Sequence, residues 1–155
     1  MIFLVRHAKA GSRSDFHGED DSTRPLSKAG WRQSKALVDR LLAAGATGPL
    51  LASPYARCVQ TLGPLAEQLS ADVVIDHRLA EGQRFEPMLD LMTTTPNGTV
   101  LCSHGDMIPA VMAALERRGC NIENEPNWKK ATVWVLTRDN EGHFTHAACW
   151  PPPAE

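Results

Sequence analysis

The sequence contains little that would connect it to a metal, a nucleic acid or a membrane. Its four cysteines are scattered, and no two form the Cys-x-x-Cys pair of a zinc site. Sixteen basic and 18 acidic side chains give a formal net charge of −2, which does not favour nucleic-acid binding. No apolar run approaches the roughly 18 residues of a membrane span, and the opening MIFLV is too short for a signal peptide. We therefore expect a cytoplasmic protein with reduced thiols.

The glycine-rich phosphate cradles are absent as well, since neither GxxxxGK nor GxGxxG occurs. What the chain does have is ordinary for a globular protein: 155 residues, of which 43% are hydrophobic and 22% charged. This length suits one compact domain over residues 1–155. We expect that domain to be a monomer or a weak dimer.

Short apolar segments alternate with helical patterns along the chain. Ser27 and Gly45 are placed to begin and end the first helix, and Ser53 with Pro54 to begin the second. Predicted strands cover 1–5, 49–53, 72–76, 99–103, 131–137 and 143–149, and predicted helices cover 28–44, 54–69, 86–92 and 107–118. Such alternation predicts an α/β three-layer sandwich, with a mostly parallel central sheet and helices on both faces.

Basic side chains and imidazoles follow the predicted strands at the point where each strand ends. Arg6 and His7 follow the first strand, Arg57 lies just after the second, and His104 follows 99–103. In open α/β sheets, ligands bind beyond the carboxyl ends of the strands. We therefore expect these four side chains to share one crevice.

Two guanidinium groups and two imidazoles in one crevice favour an anionic ligand, and a phosphoryl group suits them best. A neutral imidazole can also act as a nucleophile and form a covalent intermediate. We expect His7 to accept the phosphoryl group, while Arg6, Arg57 and His104 stabilise its equatorial oxygens.

A leaving alkoxide needs a proton, and the sequence offers two carboxylates for this role. Glu81 lies in the loop after the strand 72–76, and Asp106 lies two residues beyond His104. Three further cations, Lys9, Arg13 and Arg24, are candidates for binding a second anionic group of the substrate.

The motifs that carry these residues resemble the histidine phosphatase superfamily, which is the phosphoglycerate mutase-like group. They are RHA at 6–8, RPLSKAGWRQS at 24–34, SPYARCVQT at 53–61, LAEG at 79–82 and SHGD at 103–106. The resemblance implies a phosphohistidine intermediate at His7 and a phosphate pocket of Arg6, Arg57 and His104. It also implies that no metal or other cofactor takes part.

Within that superfamily, the small size and the stretch DSTRPLS resemble SixA-type phosphohistidine phosphatases. They also resemble the histidine phosphatase domain appended to some Nudix hydrolases. Two positions depart from the usual pattern: Ala8 replaces a glycine, and Arg13 replaces an asparagine of the mutase branch. The chain also lacks the insertions that mutases use to close over a bisphosphate.

The substrate class depends on two indications that disagree. Glu81 matches the acid of the broader family and points to phosphate esters, whereas the small size points to phosphohistidine. We favour a phosphohistidine protein as substrate. The alternatives are small phosphate esters or nucleotides, and a catalytically weak module that binds a phosphorylated ligand.

Overall fold

A computed structural model describes residues 1–154 and contains seven strands and four α-helices in that range. The strands are β1 (Ile2–Arg6), β2 (Leu50–Ala52), β3 (Val73–Ile75), β4 (Val100–Ser103), β5 (Asn121–Ile122), β6 (Val133–Arg138) and β7 (Phe144–Trp150). The helices are α1 (Lys28–Ala44), α2 (Ala56–Leu69), α3 (Phe85–Thr94) and α4 (Met107–Arg117).

All seven strands form one sheet in the order β3-β2-β4-β1-β6-β7-β5. The first four strands of this order are parallel, so the carboxyl ends of β1, β2 and β4 lie at the same edge. Strand β6 runs antiparallel to both β1 and β7, and β5 is parallel to β7. Because β6 pairs Val133 with Val5, the residues that precede β6 also lie at this edge.

Helices cover both faces of the sheet, as the sequence predicts. Strand β1 alternates between two hydrophobic clusters: Ile2 and Leu4 pack with α3 and α4, while Phe3 and Val5 pack with α1 and α2. All four of these side chains are fully buried. The strand that carries Arg6 and His7 is therefore held from both sides, which confirms the three-layer architecture.

The first helix begins and ends where its capping residues predict. The Ser27 hydroxyl accepts a hydrogen bond from the Gly30 amide at 3.1 Å, which satisfies one of the free N–H groups of the first turn. Gly45 ends the helix with φ at 108°, a left-handed conformation that favours glycine.

The second helix begins later than predicted, at Ala56 with Tyr55 as its N-cap. The prediction of Ser53 as the N-cap and Pro54 as the first helical residue was wrong. The Ser53 hydroxyl lies 2.8 Å from Nε2 of His104 and accepts a hydrogen bond at 3.3 Å from the amide of Tyr55, the residue before the helix. The helix continues through Pro64 to Leu69.

Other boundaries differ by a few residues, and three short elements were not predicted: β5 and two 3₁₀-helices, Asp21–Thr23 and His77–Leu79. Helix α3 is longer at both ends than the predicted 86–92, and α4 ends one residue earlier than predicted. Strand β5 has two residues, too few to give a periodic pattern. No helix within residues 1–154 is long and apolar enough to cross a membrane.

Candidate active site

His7 directly follows β1 and is 5% exposed. Its Nδ1 lies 2.8 Å from the carbonyl oxygen of Ala8, and because a carbonyl can only accept, Nδ1 donates. The lone pair of the neutral ring is therefore on Nε2. Burial lowers the pKa of His7 to about 3, and the nearby charges of His104, Arg57 and Arg6 act in the same direction. His7 is neutral, and hence nucleophilic, at physiological pH.

Hydrogen bonds from two elements fix the backbone around His7. The His7 amide donates to the carbonyl of Ser103 at 3.1 Å, which joins it to β4. The next amide, of Ala8, donates to the hydroxyl of Thr61 at 2.9 Å, and that hydroxyl donates to the carbonyl of Arg57 at 2.6 Å. His7 is therefore preorganised relative to both β4 and α2.

His104 follows β4 and packs beside His7, with 5.4 Å between the ring centroids. It is 1% exposed, and its Nε2 lies 2.8 Å from the Ser53 hydroxyl. The ring of Tyr55 packs edge-on against it at 4.7 Å. Its other nitrogen, Nδ1, has no hydrogen-bond partner among residues 1–154 and lies 3.7 Å from Oε1 of Glu81. The imidazole is thus fixed by its Nε2 side, while Nδ1 can bind a ligand.

The two central arginines are each held by part of their guanidinium group. Arg57 is 1% exposed; its Nη2 lies 3.1 Å from both Glu81 Oε1 and Asp21 Oδ2, and its Nη1 donates to the carbonyl of Asp21 at 3.0 Å. Arg6 donates from Nη1 to the carbonyl of Trp128. The Nε groups of both arginines are buried and have no partner among residues 1–154.

Three buried nitrogen atoms without hydrogen-bond partners therefore belong to the predicted phosphate pocket: Arg6 Nε, Arg57 Nε and His104 Nδ1. An unsatisfied buried polar group destabilises a fold by about 1–3 kcal/mol. Their concentration around one imidazole indicates a ligand with several acceptor oxygens.

The close approach of Arg6 to the loop after β4 explains the glycine at position 105. A Cβ atom on Gly105 would lie 2.6 Å from Cζ of Arg6, which is closer than van der Waals contact allows. A larger residue would therefore displace the Arg6 guanidinium from its position beside His7.

The two candidate acids have different surroundings. Glu81 is 35% exposed at its side chain and lies against Arg57 and His104. Asp106 accepts a hydrogen bond from the Gly82 amide at 2.8 Å, so it also helps to hold the loop that carries Glu81. Both carboxylates line the same cavity, and the assignment of the acid stays a prediction.

The site opens into a cavity of about 620 Å³. All of the predicted site residues except His104 line it, together with one lysine that was not predicted: Arg6, His7, Lys9, Arg13, Arg24, Arg57, Glu81, Asp106 and Lys130. The structure thus brings the predicted residues to one place. Their chemical roles stay predictions.

The three predicted rim cations differ in exposure. Arg24 is 6% exposed; its Nε donates to Asp21 Oδ1 at 2.8 Å and its Nη1 to the carbonyl of Gly11 at 2.6 Å. Arg24 therefore organises the loop and has less freedom to follow a substrate. The side chain of Arg13 is 73% exposed, and Lys9 is also exposed.

Sequence reasoning missed three residues of the site. Asp21 binds Arg24 and Arg57, but it lies in a short 3₁₀-helix (Asp21–Thr23) between β1 and α1, where the sequence shows no periodic pattern. Tyr55 packs on His104, and neither its type nor its spacing indicates this. Lys130 could have been found, since a terminal strand antiparallel to β1 brings the residues before it to the mouth of the site.

The match to a known family agrees with this geometry. The model of the histidine phosphatase superfamily (branch 1) matches residues 2–84, which is more than half of the chain. The chain belongs to the histidine phosphatase superfamily.

Two curated relatives differ in how much of this chain they cover. An 8-oxo-(d)GTP phosphatase of Mycolicibacterium smegmatis is 34% identical over 166 residues, covering 99% of this chain and 49% of its own length. A probable phosphoglycerate mutase GpmB of an Enterobacter species is 29% identical over 81 residues, covering 52% of this chain and 37% of its own. The chain spans about half the length, or less, of these relatives.

Solved structures of the SixA type have the same fold. The protein histidine phosphatase SixA complexed with tungstate superposes with a TM-score of 0.73 at 20% identity, covering 93% of this chain and 92% of that one. The SixA-type protein of Agrobacterium tumefaciens, a putative phosphohistidine phosphatase, gives 0.67 at 24% identity, covering 99% and 97%. At these identities the likeness establishes the fold alone.

Proposed function

We propose that this chain is a phosphatase that transfers a phosphoryl group to Nε2 of His7 and then to water. The observation that carries the proposal is the set of buried nitrogen atoms without partners at Arg6, Arg57 and His104, all beside a neutral imidazole. A site that only bound a phosphate would not need a buried nucleophile among these donors.

In the first step, Nε2 of His7 forms a bond to phosphorus as the bond from phosphorus to the leaving oxygen breaks. The guanidinium groups of Arg6 and Arg57 and the Nδ1 side of His104 stabilise the three equatorial oxygens. Glu81 donates a proton to the leaving oxygen. In the second step, water attacks the phosphohistidine, its proton passes to Glu81, and phosphate leaves with His7 neutral again.

We propose small phosphate esters, including nucleotides, as the first class of substrate. The relative that matches 99% of this chain is named as an 8-oxo-(d)GTP phosphatase, and a cavity of about 620 Å³ is of the size that holds a small molecule. The position of Glu81 against Arg57 and His104 supports a substrate whose leaving group needs a proton.

A phosphohistidine protein, which the sequence favours, stays the second candidate. It is supported by the near-complete mutual coverage between this chain and the SixA-type structures. Turnover of a phosphohistidine peptide can be compared with that of nucleoside mono-, di- and triphosphates under one set of conditions. The substrate class with the higher kcat/KM is the preferred substrate of the enzyme.

The role of His7 as nucleophile is tested by rapid-quench trapping with a labelled aryl phosphate in the presence of EDTA. Wild-type protein should carry acid-labile, alkali-stable phosphate, and His7→Ala should carry none. His17→Ala is the matched control, because His17 is an exposed histidine of a loop and does not line the cavity.

Two outcomes would contradict the proposal. Turnover that persists in His7→Ala would mean that another residue is the nucleophile. Phosphate binding without label or turnover at any pH from about 5 to 8, where an unperturbed histidine titrates, would favour the binding-module alternative.

We further propose that residues 1–155 act as one domain in the cytoplasm, as a monomer or weak dimer without a metal or nucleic acid. All four cysteines are buried free thiols, which supports a reducing location. Retention of activity after treatment with EDTA, together with the mass in solution, tests the absence of a metal and the oligomeric state.

A further inference from the structure

Lys130 is fixed beside the nucleophile by the backbone of the next residue. The amide of Ala131 donates to the carbonyls of both Arg6, at 3.2 Å, and His7, at 3.1 Å. Ala131 has φ at 65°, a left-handed conformation that is disfavoured for a residue with a Cβ atom. Strained conformations of this kind occur where the surrounding structure requires them, often at functional sites. The backbone here holds Lys130 at the wall of the cavity.

The ammonium group of Lys130 has no hydrogen bond or ion pair with any other residue in the described range 1–154. Burial lowers its pKa, and its strongest electrostatic neighbours, Arg6, Arg24, Lys9 and Arg57, are all cations that lower it further. Arg24 and Arg57, in contrast, each have a carboxylate partner. A partly buried lysine among cations is a position that an anionic ligand would stabilise.

Cationic side chains outnumber carboxylates at the wall of the cavity. Six cationic side chains and two carboxylates line it, and Asp21 adds a third carboxylate through its contacts with Arg24 and Arg57. Lys130 has no carboxylate partner within the described residues.

We propose that Lys130 binds a second anionic group of the substrate, adjacent to the phosphoryl group at His7. The substrate is then a small molecule in which a second phosphoryl group neighbours the transferred one, as in a nucleoside di- or triphosphate. This inference rests on the proposed function, because it takes His7 as the position of the transferred phosphoryl group. A protein phosphohistidine carries a single phosphoryl group and would not use Lys130 in this way.

Binding of inorganic ligands tests the inference separately from catalysis. We would measure by calorimetry the affinities of imidodiphosphate and phosphate for wild type, Lys130→Met, Lys130→Arg and the control Lys129→Met. Lys129 is exposed and does not line the cavity.

Loss of one charge-assisted hydrogen bond should weaken imidodiphosphate binding by roughly ten- to a hundredfold in Lys130→Met. The same variant should lose much less affinity for phosphate. Lys130→Arg should keep most of the affinity for imidodiphosphate, and Lys129→Met should bind both ligands as wild type does. Two results would overturn the inference. In one, Lys130→Met loses the same factor in affinity for imidodiphosphate as for phosphate. In the other, Lys129→Met loses as much affinity for imidodiphosphate as Lys130→Met does.

Turnover provides a second readout. The ratio of kcat/KM for a nucleoside diphosphate to that for an aryl monophosphate should fall at least about tenfold in Lys130→Met, mainly through KM. An unchanged ratio would overturn the role of Lys130 while leaving His7 as the nucleophile. Activity that persists in His7→Ala would instead overturn the proposed function, so the two failures are distinguishable.

Discussion

At the scale of single residues, the site depends on polar atoms that the protein leaves without partners. Arg57 uses both terminal nitrogens for Asp21 and Glu81, yet its buried Nε has no partner within residues 1–154. His104 is held through Nε2 by Ser53, with Nδ1 left open. The contacts that hold each side chain therefore leave these donor groups fixed and unpaired, as electrostatic preorganisation for a ligand requires.

The most direct predictions concern residues that come immediately after the end of a strand. Arg6 and His104 follow apolar runs directly, so topology alone indicates that they meet. Asp21 could not be predicted in this way, because its contacts with Arg24 and Arg57 depend on the path of an irregular loop. Residue type and spacing define a buried strand end well and a loop conformation poorly.

Substitution of Glu81 distinguishes the two candidate acids. Because Glu81 Oε1 lies 3.1 Å from Arg57 and 3.7 Å from His104, we expect Glu81→Gln to remove the proton donor while keeping the shape of the site. General acid catalysis typically contributes about 10²–10⁴-fold, so kcat/KM for an alkyl phosphate should fall by roughly that factor. With p-nitrophenyl phosphate, whose leaving group needs little protonation, the fall should be much smaller.

Asp106→Asn is the comparison for this experiment. It should lower activity on both substrates to a similar degree, because Asp106 holds the Gly82 amide and so acts on the loop as a whole. If Asp106→Asn shows the dependence on leaving group and Glu81→Gln does not, Asp106 is the acid.

At the scale of elements, the site is formed where strands end and irregular segments begin. Strand β2 has three residues and β4 has four, and all of them are buried. The residues that follow them, Ser53 and His104, are therefore held in fixed positions. The boundary that sequence reasoning misplaced, the start of α2, lies at the site itself. Ser53 is a good N-cap by type, but α2 begins three residues later. The Ser53 hydroxyl accepts a hydrogen bond from the Tyr55 amide before the helix begins and also contacts His104.

Two glycines in adjacent helices should respond to alanine to different degrees. A Cβ atom on Gly30 of α1 would lie 1.9 Å from the carbonyl oxygen of Lys9, a backbone atom that cannot move alone. We expect Gly30→Ala to destabilise the fold by about 1–3 kcal/mol, as overpacking generally does, and to lower activity by displacing the segment after His7.

The matched control is Gly63→Ala in α2, where the nearest atom to an added Cβ is a ring carbon of Trp31 at 4.0 Å. Pro64 follows Gly63, and a residue with a Cβ atom is disfavoured in the helical region before a proline, so the gain in helix propensity from alanine should be largely offset. We therefore expect Gly63→Ala to lie within about 1 kcal/mol of wild type. Urea denaturation of both variants measures the two changes in the free energy of unfolding. A neutral Gly30→Ala would mean that α1 is not held against the segment after β1.

At the scale of the whole molecule, the sheet order places His7 at the centre of the protein. Strand β1 lies between β4 and β6, with helices on both faces. The parallel half of the sheet provides Arg6, His7 and His104 at strand ends, and the antiparallel half provides the segment with Lys130. The alternation of elements predicts the parallel half. The order of the strands could not be predicted, because it depends on contacts between segments distant in sequence.

Because His7 is buried at this central position, its titration makes the free energy of unfolding depend on pH. In the folded protein the pKa of His7 is lowered to about 3 by burial, whereas in the unfolded chain it should return to its ordinary value of 6.5. Below 6.5 the unfolded state therefore binds a proton that the folded state does not, and the free energy of unfolding falls as pH decreases from about 6.5 towards 3. At higher pH this effect is absent.

One proton corresponds to a slope of about 1.4 kcal/mol per pH unit. His7→Gln keeps a neutral polar side chain but cannot titrate. With decreasing pH, the free energy of unfolding of this variant should therefore fall less steeply than that of wild type, by up to about 1.4 kcal/mol per pH unit between about pH 4 and 6. Urea denaturation of both proteins at several pH values gives the two curves. The other titrating groups are present in both proteins, so the difference between the curves isolates His7. Parallel curves would mean that water reaches the imidazole and that it titrates normally in the folded protein. The neutral nucleophile, on which the proposed chemistry depends at mildly acidic pH, would then be lost.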